Sequence, residues 1–310
     1  MALGDFDTRA FNRLVDGKHP ATNAQLTPRH RSDRICLWDF TFDCPKSVTL
    51  AIWYNPEEER IREAFHQAVR DTMREDVEPL AATRIRGTVV SFDDGKMQIR
   101  PHYDDRQTGN MTWAMIPHSL ARPVKGRPDP QEHVHATIFN HTWDATENRF
   151  KALKVHEIKK QAPVLQDAFH QRLRSNIEAL GFKTVDKGSV FELAGVSDKT
   201  IKKFSQRRNV ITEFIDKHLV KGKRLGKVGI ETREEKGEEH TLADLKAEWD
   251  SRLTRNERVG LEWLKAKPKL GNLGALVRKN KAHVALLQRI GTLAGFGNER
   301  ETRTSVWGRS

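Results

Sequence analysis

From Glu132 to Asn140 apolar and polar side chains alternate, which predicts a strand with Val134, Ala136 and Ile138 on one face. His133, His135 and Thr137 fall on the other. The same period of two runs through Cys36–Phe42, where Trp38, Phe40 and Phe42 oppose Asp39, Thr41 and Asp43. Cys36 and Cys44 share the parity of those aromatics, so both thiols are expected to face a core. Pro45 then opens a helix at the favoured first-turn position. Ile61, Phe65, Val69 and Met73 repeat at helical spacing across Glu57–Asp76. Residues 82–102 read as a hairpin turning at Asp93-Asp94-Gly95, with Tyr103 expected to pack beyond it. Asn110 reads as a turn residue, and Asn140 as a strand end. A second apolar run, Met115-Ile116-Pro117, leads into His118. Val155–Leu180 reads as one long helix stopped by Gly181. Strands arriving in hairpins imply an α+β fold, an antiparallel sheet backed by helices. After residue 195 the chain is mostly helical, which divides it into a core over 1–194 and a basic helical region over 195–310.

A length of 310 residues suffices for one large domain or two modest ones with a real core. No apolar run approaches membrane-spanning length, and Met-Ala-Leu-Gly-Asp-Phe-Asp is not a secretory signal, so a cytoplasmic location without membrane contact is expected. Two cysteines without a Cys-x-x-Cys pair exclude a zinc ribbon and fit a reducing compartment. The net charge of +12 changes the picture more. Its basic clusters come late: Lys202-Lys203, Arg207-Arg208, Lys221–Arg224, Lys265–Lys269 and Arg278–Lys281. Such runs are often solvated helix faces, but here they favour a polyanion, nucleic acid above all.

The candidate chemistry lies in His118, His133 and His135. If their two runs pair as neighbouring strands, three imidazoles converge on one patch. Three neutral nitrogens leave a divalent metal open positions for a substrate oxygen, the arrangement of a catalytic site. The competing reading is solvent-facing alternation in a chain with 13 histidines. Imidazole suits several transition metals and Mg²⁺ prefers oxygen, so the sequence leaves Mg²⁺, Mn²⁺ and Zn²⁺ open. Asp39 lies on the polar face of its strand, where the plain alternative is a solvent-facing carboxylate on an edge strand.

Five ordered motifs then narrow the reading. Asp39-Phe-Thr-Phe-Asp-Cys-Pro-Lys-Ser-Val, Thr108-Gly-Asn, His118-x-x-x-Arg122, Asp129-Pro-Gln-x-His-x-His135 and Asn140 follow one another. Together they resemble the relaxase domain of MobF-type (TrwC/TraI-like) conjugative DNA-transfer proteins, His-hydrophobic-His nucleases with a relaxase/Rep-like palm. The resemblance also takes in Phe11-Asn-Arg-Leu-Val-Asp-Gly, Gly195-Val-Ser and Phe204-Ser-Gln-Arg-Arg. It implies site-specific, metal-dependent nicking and joining of single-stranded DNA at a transfer origin, alongside relaxosome and coupling proteins. It also implies that Asp39 holds a metal-ligating histidine or helps take a tyrosine proton. Lys46 and Arg122 become candidate phosphate contacts, and Lys202, Lys203, Arg207 and Arg208 candidate DNA contacts.

Two departures stand out. Pro123-Val-Lys-Gly-Arg-Pro lengthens the loop between His118 and His133, where insertions are tolerated. The family's nucleophilic tyrosines sit near the N-terminus, whereas the only two tyrosines here are Tyr54 and Tyr103. Phe6 and Phe11 lack the hydroxyl that attack requires. The nucleophile is therefore expected ahead of Met1. Otherwise the chain is a single-stranded-DNA-binding relative that keeps the metal site without nicking, or an unrelated three-histidine metal hydrolase. No Gly-x-x-x-x-Gly-Lys-Ser/Thr motif is present, so no helicase is expected.

Overall fold

Along the chain, helix α1 (Thr8–Val15) precedes strand β1 (Leu37–Asp43) and helices α2 (Lys46–Tyr54) and α3 (Glu58–Thr72). A ribbon, β2 (Ala82–Asp93) and β3 (Lys96–Gln107), leads to the histidine-bearing strands β4 (Thr112–Leu120) and β5 (Pro130–Phe139). Short strands β6 (Thr142–Asp144), β7 (Arg149–Lys151) and β8 (Leu153–Lys154) precede helices α4 (His156–Lys160) and α5 (Ala162–Ala179). A hairpin, β9 (Thr184–Lys187) and β10 (Val190–Leu193), precedes α6 (Asp198–Lys203), α7 (Gln206–His218), α8 (Leu225–Glu231), α9 (Leu242–Arg252) and α10 (Arg255–Glu262). Strand β11 (Trp307–Arg309) comes last. This is a computed structural model that describes residues 7–27, 33–94, 96–188, 190–218, 225–232, 240–264 and 307–309. The basic runs at 221–224, 265–269 and 278–281 lie outside the described residues.

The central sheet has the order β1-β5-β4-β11 with antiparallel pairing throughout. Its alternation decides where the core sits. Val134, Ala136 and Ile138 are fully buried, and they join Phe42, Phe65, Val69, Phe169 and Leu173 in the main core. Helices α3 and α5 supply the other side of that core, and the Phe169 ring packs edge-on against Phe42 at 5.1 Å and Phe65 at 6.1 Å. Antiparallel sheets backed by helices make the fold α+β, as the sequence pattern predicts. A second cluster joins Leu50 of α2 to Phe204, Leu245, Trp249 and Leu261, so the later helices share a core with the strand-bearing half. No helix among the described residues is long and apolar enough to cross a membrane.

Several boundaries differ from the sequence reading, each for a local reason. Pro45 is the N-cap of α2, one position before the first helical turn. Helix α3 ends at Thr72 and passes through a π turn, Met73–Val77, into a 3₁₀ turn, Glu78–Leu80, which contains Pro79. The expected long helix over 155–180 is two helices meeting at Gln161. Pro163 lies in the first turn of α5, where its missing N–H costs no helical bond. Gly181 ends that helix with φ +95°, a left-handed geometry that favours glycine. The ribbon is longer than predicted and reaches Gln107. Tyr103, expected to pack, is 53% exposed on it, with Arg84 5.4 Å from its ring centre. Cys44 is buried as expected, whereas Cys36 is only half-buried.

Candidate metal centre

The face of the sheet opposite the core carries the histidines. On β5 the side chains of His133, His135, Thr137 and Phe139 share one face by the period of two. One end of that face is sealed by α1, whose Ala10 and Leu14, with Leu26, pack on Ala114 and Phe139. Phe11 meets Phe139 edge-on at 5.4 Å. Burial therefore relaxes along the strand: Thr137 is buried, while His135 and His133 are half-buried. The open end of the sheet is where the imidazoles meet.

Register brings the third one in. His118 stands directly across from His133 in the β4–β5 ladder, and Thr41 of β1 stands across from His135. The ring centres are separated by 5.3 Å for His118–His133, 4.9 Å for His118–His135 and 5.2 Å for His133–His135. One ligating nitrogen from each ring lies within 4.8 Å of the others, close enough to hold a single cation.

The hydrogen bonds around the rings select which nitrogen each one offers. His135 Nδ1 lies 2.7 Å from Asp39 Oδ2, and a carboxylate only accepts, so Nδ1 carries the proton and Nε2 keeps its lone pair. Thr41 Oγ1 lies 3.3 Å from the same Nδ1. His133 Nδ1 donates to the Gln131 carbonyl at 2.9 Å, which leaves its Nε2 for ligation in the same way. Burial, then the neighbouring imidazoles His133 and His135, hold His118 below the ordinary imidazole pKa. A neutral ring is the form that binds metal. The donor set therefore fits a divalent ion: three neutral nitrogens, two of them oriented by acceptors behind them.

Of the sequence-predicted residues, the structure brings Asp39, His118, His133 and His135 together. Lys46 is half-buried and turned inward, its ammonium donating to Pro130 O at 2.6 Å. Burial pushes its pKa down to about 8 against the opposing pull of Asp129. Lys203 is spent on Glu257 at 2.6 Å and the Arg252 carbonyl at 2.9 Å. Arg207 donates to the carbonyls of Thr232 and Gly229, at 2.5 and 2.7 Å. Arg122, Lys202 and Arg208 are exposed. Tyr54 is committed to the helical cluster, with the Lys246 ammonium 3.9 Å over its ring. The sequence reading missed Thr41 and the Gln131 carbonyl. Thr41 was findable as the residue two beyond Asp39 on the same face, whereas a backbone carbonyl leaves no sequence signal.

Asn110 does more than turn the chain. Its side chain donates to Trp143 O and accepts from Trp143 N, at 2.9 and 2.7 Å, and so fastens β6 beside the sheet. Asn140 donates to Ile35 O at 2.7 Å and accepts from Leu153 N at 3.0 Å, which ties the end of β5 to the chain entering β1.

Fold and site together define an α+β protein whose antiparallel sheet presents a three-histidine cation cradle with an orienting carboxylate behind it. The chain belongs to the TrwC relaxase family, whose sequence model matches residues 1–256. It is similar in structure to the conjugative relaxase TrwC in complex with mutant oriT DNA (TM-score 0.65, 25% identity), covering 80% of this chain and 85% of that one. A copper-bound TrwC–oriT complex (TM-score 0.65, 26% identity) covers 80% and 81%. A metal-bound TrwC–oriT complex (TM-score 0.65, 25% identity) covers 83% and 84%. A search of curated proteins finds no match.

Proposed function

We propose that this chain is the metal-dependent domain that nicks and rejoins single-stranded DNA at the transfer origin of a conjugative element. The observation that carries the reading is the triad itself, three imidazoles around one point with Nδ1 of His133 and His135 tied to acceptors. Family membership and the likeness to TrwC–oriT complexes, metal-bound ones included, support it. His118, His133 and His135 would hold the divalent ion, whether Mg²⁺, Mn²⁺ or Zn²⁺. Bound there, it would draw charge from the non-bridging oxygens of the scissile phosphate.

The protein's own groups do the rest. The reaction is a transesterification: a P–O bond to tyrosine forms, and the P–O bond to the leaving sugar oxygen breaks. Asp39 fixes the His135 ring through Oδ2 and would take the tyrosine proton, which passes on to the leaving sugar oxygen so that the exchange of esters is proton-neutral. Arg122, Lys202 and Arg208 are exposed cations for the DNA backbone. Tyr54 packs under the Lys246 ammonium and Tyr103 stands exposed on the β2–β3 ribbon, so the reading calls for a nucleophilic tyrosine that is neither of these two. The cell compartment is the cytoplasm, and the partners are relaxosome and coupling proteins.

The placement of both tyrosines also favours a second reading, a relative that binds single-stranded DNA and metal without nicking. One assay separates the two. The chain, alone and with an N-terminal tyrosine-bearing extension, is incubated with labelled transfer-origin oligonucleotide and Mn²⁺. A covalent protein–DNA adduct formed only with the extension is the expected result. Binding without adduct in both forms favours the second reading. Multiple-turnover cleavage with no adduct would overturn both.

A further inference from the structure

The loop that joins the two histidine strands is gripped from outside by the later helices. Pairing between β4 and β5 sets His118 against His133, then resumes at Leu120 against Pro130 after a register shift. A bulge interrupts the ladder and re-aims side chains, and here it lies directly beside His118. A one-residue slip would turn His133 to the opposite face of the sheet.

Alternate carbonyls leading into β5 are held by three side chains from outside the loop. The Gly126 carbonyl meets His240 Nε2 at 3.0 Å. The Pro128 carbonyl accepts from Trp249 Nε1 of α9 at 3.1 Å. The Pro130 carbonyl accepts from Lys46 of α2 at 2.6 Å. Between them, the Asp129 carboxylate is 3% exposed and accepts from Gln206 N at 2.7 Å, Gln206 Nε2 at 3.1 Å and an Arg252 guanidinium nitrogen at 2.5 Å. Gln206 is the first residue of α7, so the carboxylate caps that helix at the end where its dipole favours negative charge. Arg252 is itself held: it donates to Glu248 at 2.7 Å and to Lys203 O at 3.1 Å, and lies 5.4 Å from the Phe204 ring centre. A buried carboxylate that lost these partners would be left uncompensated, so separating the loop from these helices is costly.

We propose that Asp129 is a positioning residue for the metal centre. Through Arg252 and the start of α7 it pins the chain ahead of His133, and this makes the docked helices α7 and α9 part of the support of the histidine triad. The proposal rests on the metal-centre reading above. Metal sites tolerate small errors in ligand placement, on the order of 0.2 Å, and partners behind the ligands govern affinity about 10- to 100-fold.

The test is a Co²⁺ titration followed by visible absorption, on the full chain, for the wild type, D129N and W249F. L173A serves as a variant weakened in the core away from the loop. D129N is expected to bind Co²⁺ about 10-fold more weakly and with an altered absorption envelope. L173A is expected to lose thermal stability while its Co²⁺ affinity stays within about twofold. W249F removes the hydrogen bond to the Pro128 carbonyl along with the pyrrole half of a buried indole and leaves the Asp129 carboxylate in place, so it remains informative if D129N does not fold; about a threefold weakening is expected. Wild-type affinity and spectrum in folded D129N, or in W249F where D129N does not fold, would overturn the positioning role. A wild type that binds no Co²⁺ would overturn the metal-centre reading itself, and the positioning role with it.

Discussion

Asp39 provides the sharpest test of how the histidines are held. Its Oδ2 lies 2.7 Å from His135 Nδ1, while Thr41 Oγ1 sits 3.3 Å from the same nitrogen. Replacing Asp39 with Ala removes a charge-assisted hydrogen bond, a class worth about 1.5–3 kcal/mol. The Asp39 side chain is 46% exposed, so water screens it and the low end applies, about 1.5 kcal/mol or roughly a tenfold loss of metal affinity. D39N keeps an acceptor oxygen and drops the charge, so its loss falls between wild type and D39A. T41A removes only a longer, neutral contact and should weaken binding less than about threefold. The assay is calorimetric titration of the metal-free protein with Mn²⁺ or Zn²⁺ at pH 7.5, with circular dichroism to confirm folding. If D39A and T41A bind metal within twofold of each other, the carboxylate does not orient His135 and the reasoning fails.

Other consequences are equally open to measurement. His66 is 6% exposed, and burial, then Arg70 and Arg62, hold its pKa down to about 4. Its stabilising contribution is thus complete above the unfolded value near pH 6.5 and is lost as pH falls toward 4. Between pH 7.5 and 4.5 this amounts to about 2.5 kcal/mol. Urea unfolding in EDTA should show that loss in the wild type and not in H66L; equal pH sensitivity in the two would refute it. Truncating Phe169, wedged between Phe42 and Phe65, should cost about 3–5 kcal/mol by the same unfolding assay, and a loss under 1 kcal/mol would mean α5 is not the core partner of the sheet. K202A and R208A should each weaken single-stranded DNA binding and lower the salt slope by about 0.7. R207A should instead lower the melting temperature, because its guanidinium already holds the Gly229 and Thr232 carbonyls. An unchanged salt slope in the first pair would remove them from the DNA interface.

What the sequence disclosed and what it withheld follow from the range of the interactions involved. The strand period of Glu132–Asn140 is local, and it placed His133 and His135 on one face and Val134, Ala136 and Ile138 in the core. Asp39 was legible for the same reason, as the polar side of a strand that pairs with β5. The break at Gln161 has a local signal in Pro163, which the helical spacing on either side overrode. The basic residues are different. Lys202 and Lys203 look alike in sequence, and Glu257, far along the chain, decides that Lys203 is internally paired. Likewise, Lys46 is drawn inward by a carbonyl 84 positions away. The grip on Asp129 was invisible for that reason too, since Gln206 and Arg252 arrive only through the tertiary fold.

The account stands on one cation held by three imidazoles, and metal content measures that most directly. The wild type and the H133A/H135A double variant would be loaded with Zn²⁺ or Mn²⁺, desalted, and analysed by inductively coupled plasma mass spectrometry, with circular dichroism as the folding check. The two side chains lie on the face away from the core, so the variant should fold. The account predicts about one metal per wild-type chain and essentially none in the variant. Equal metal content in two folded proteins would contradict it.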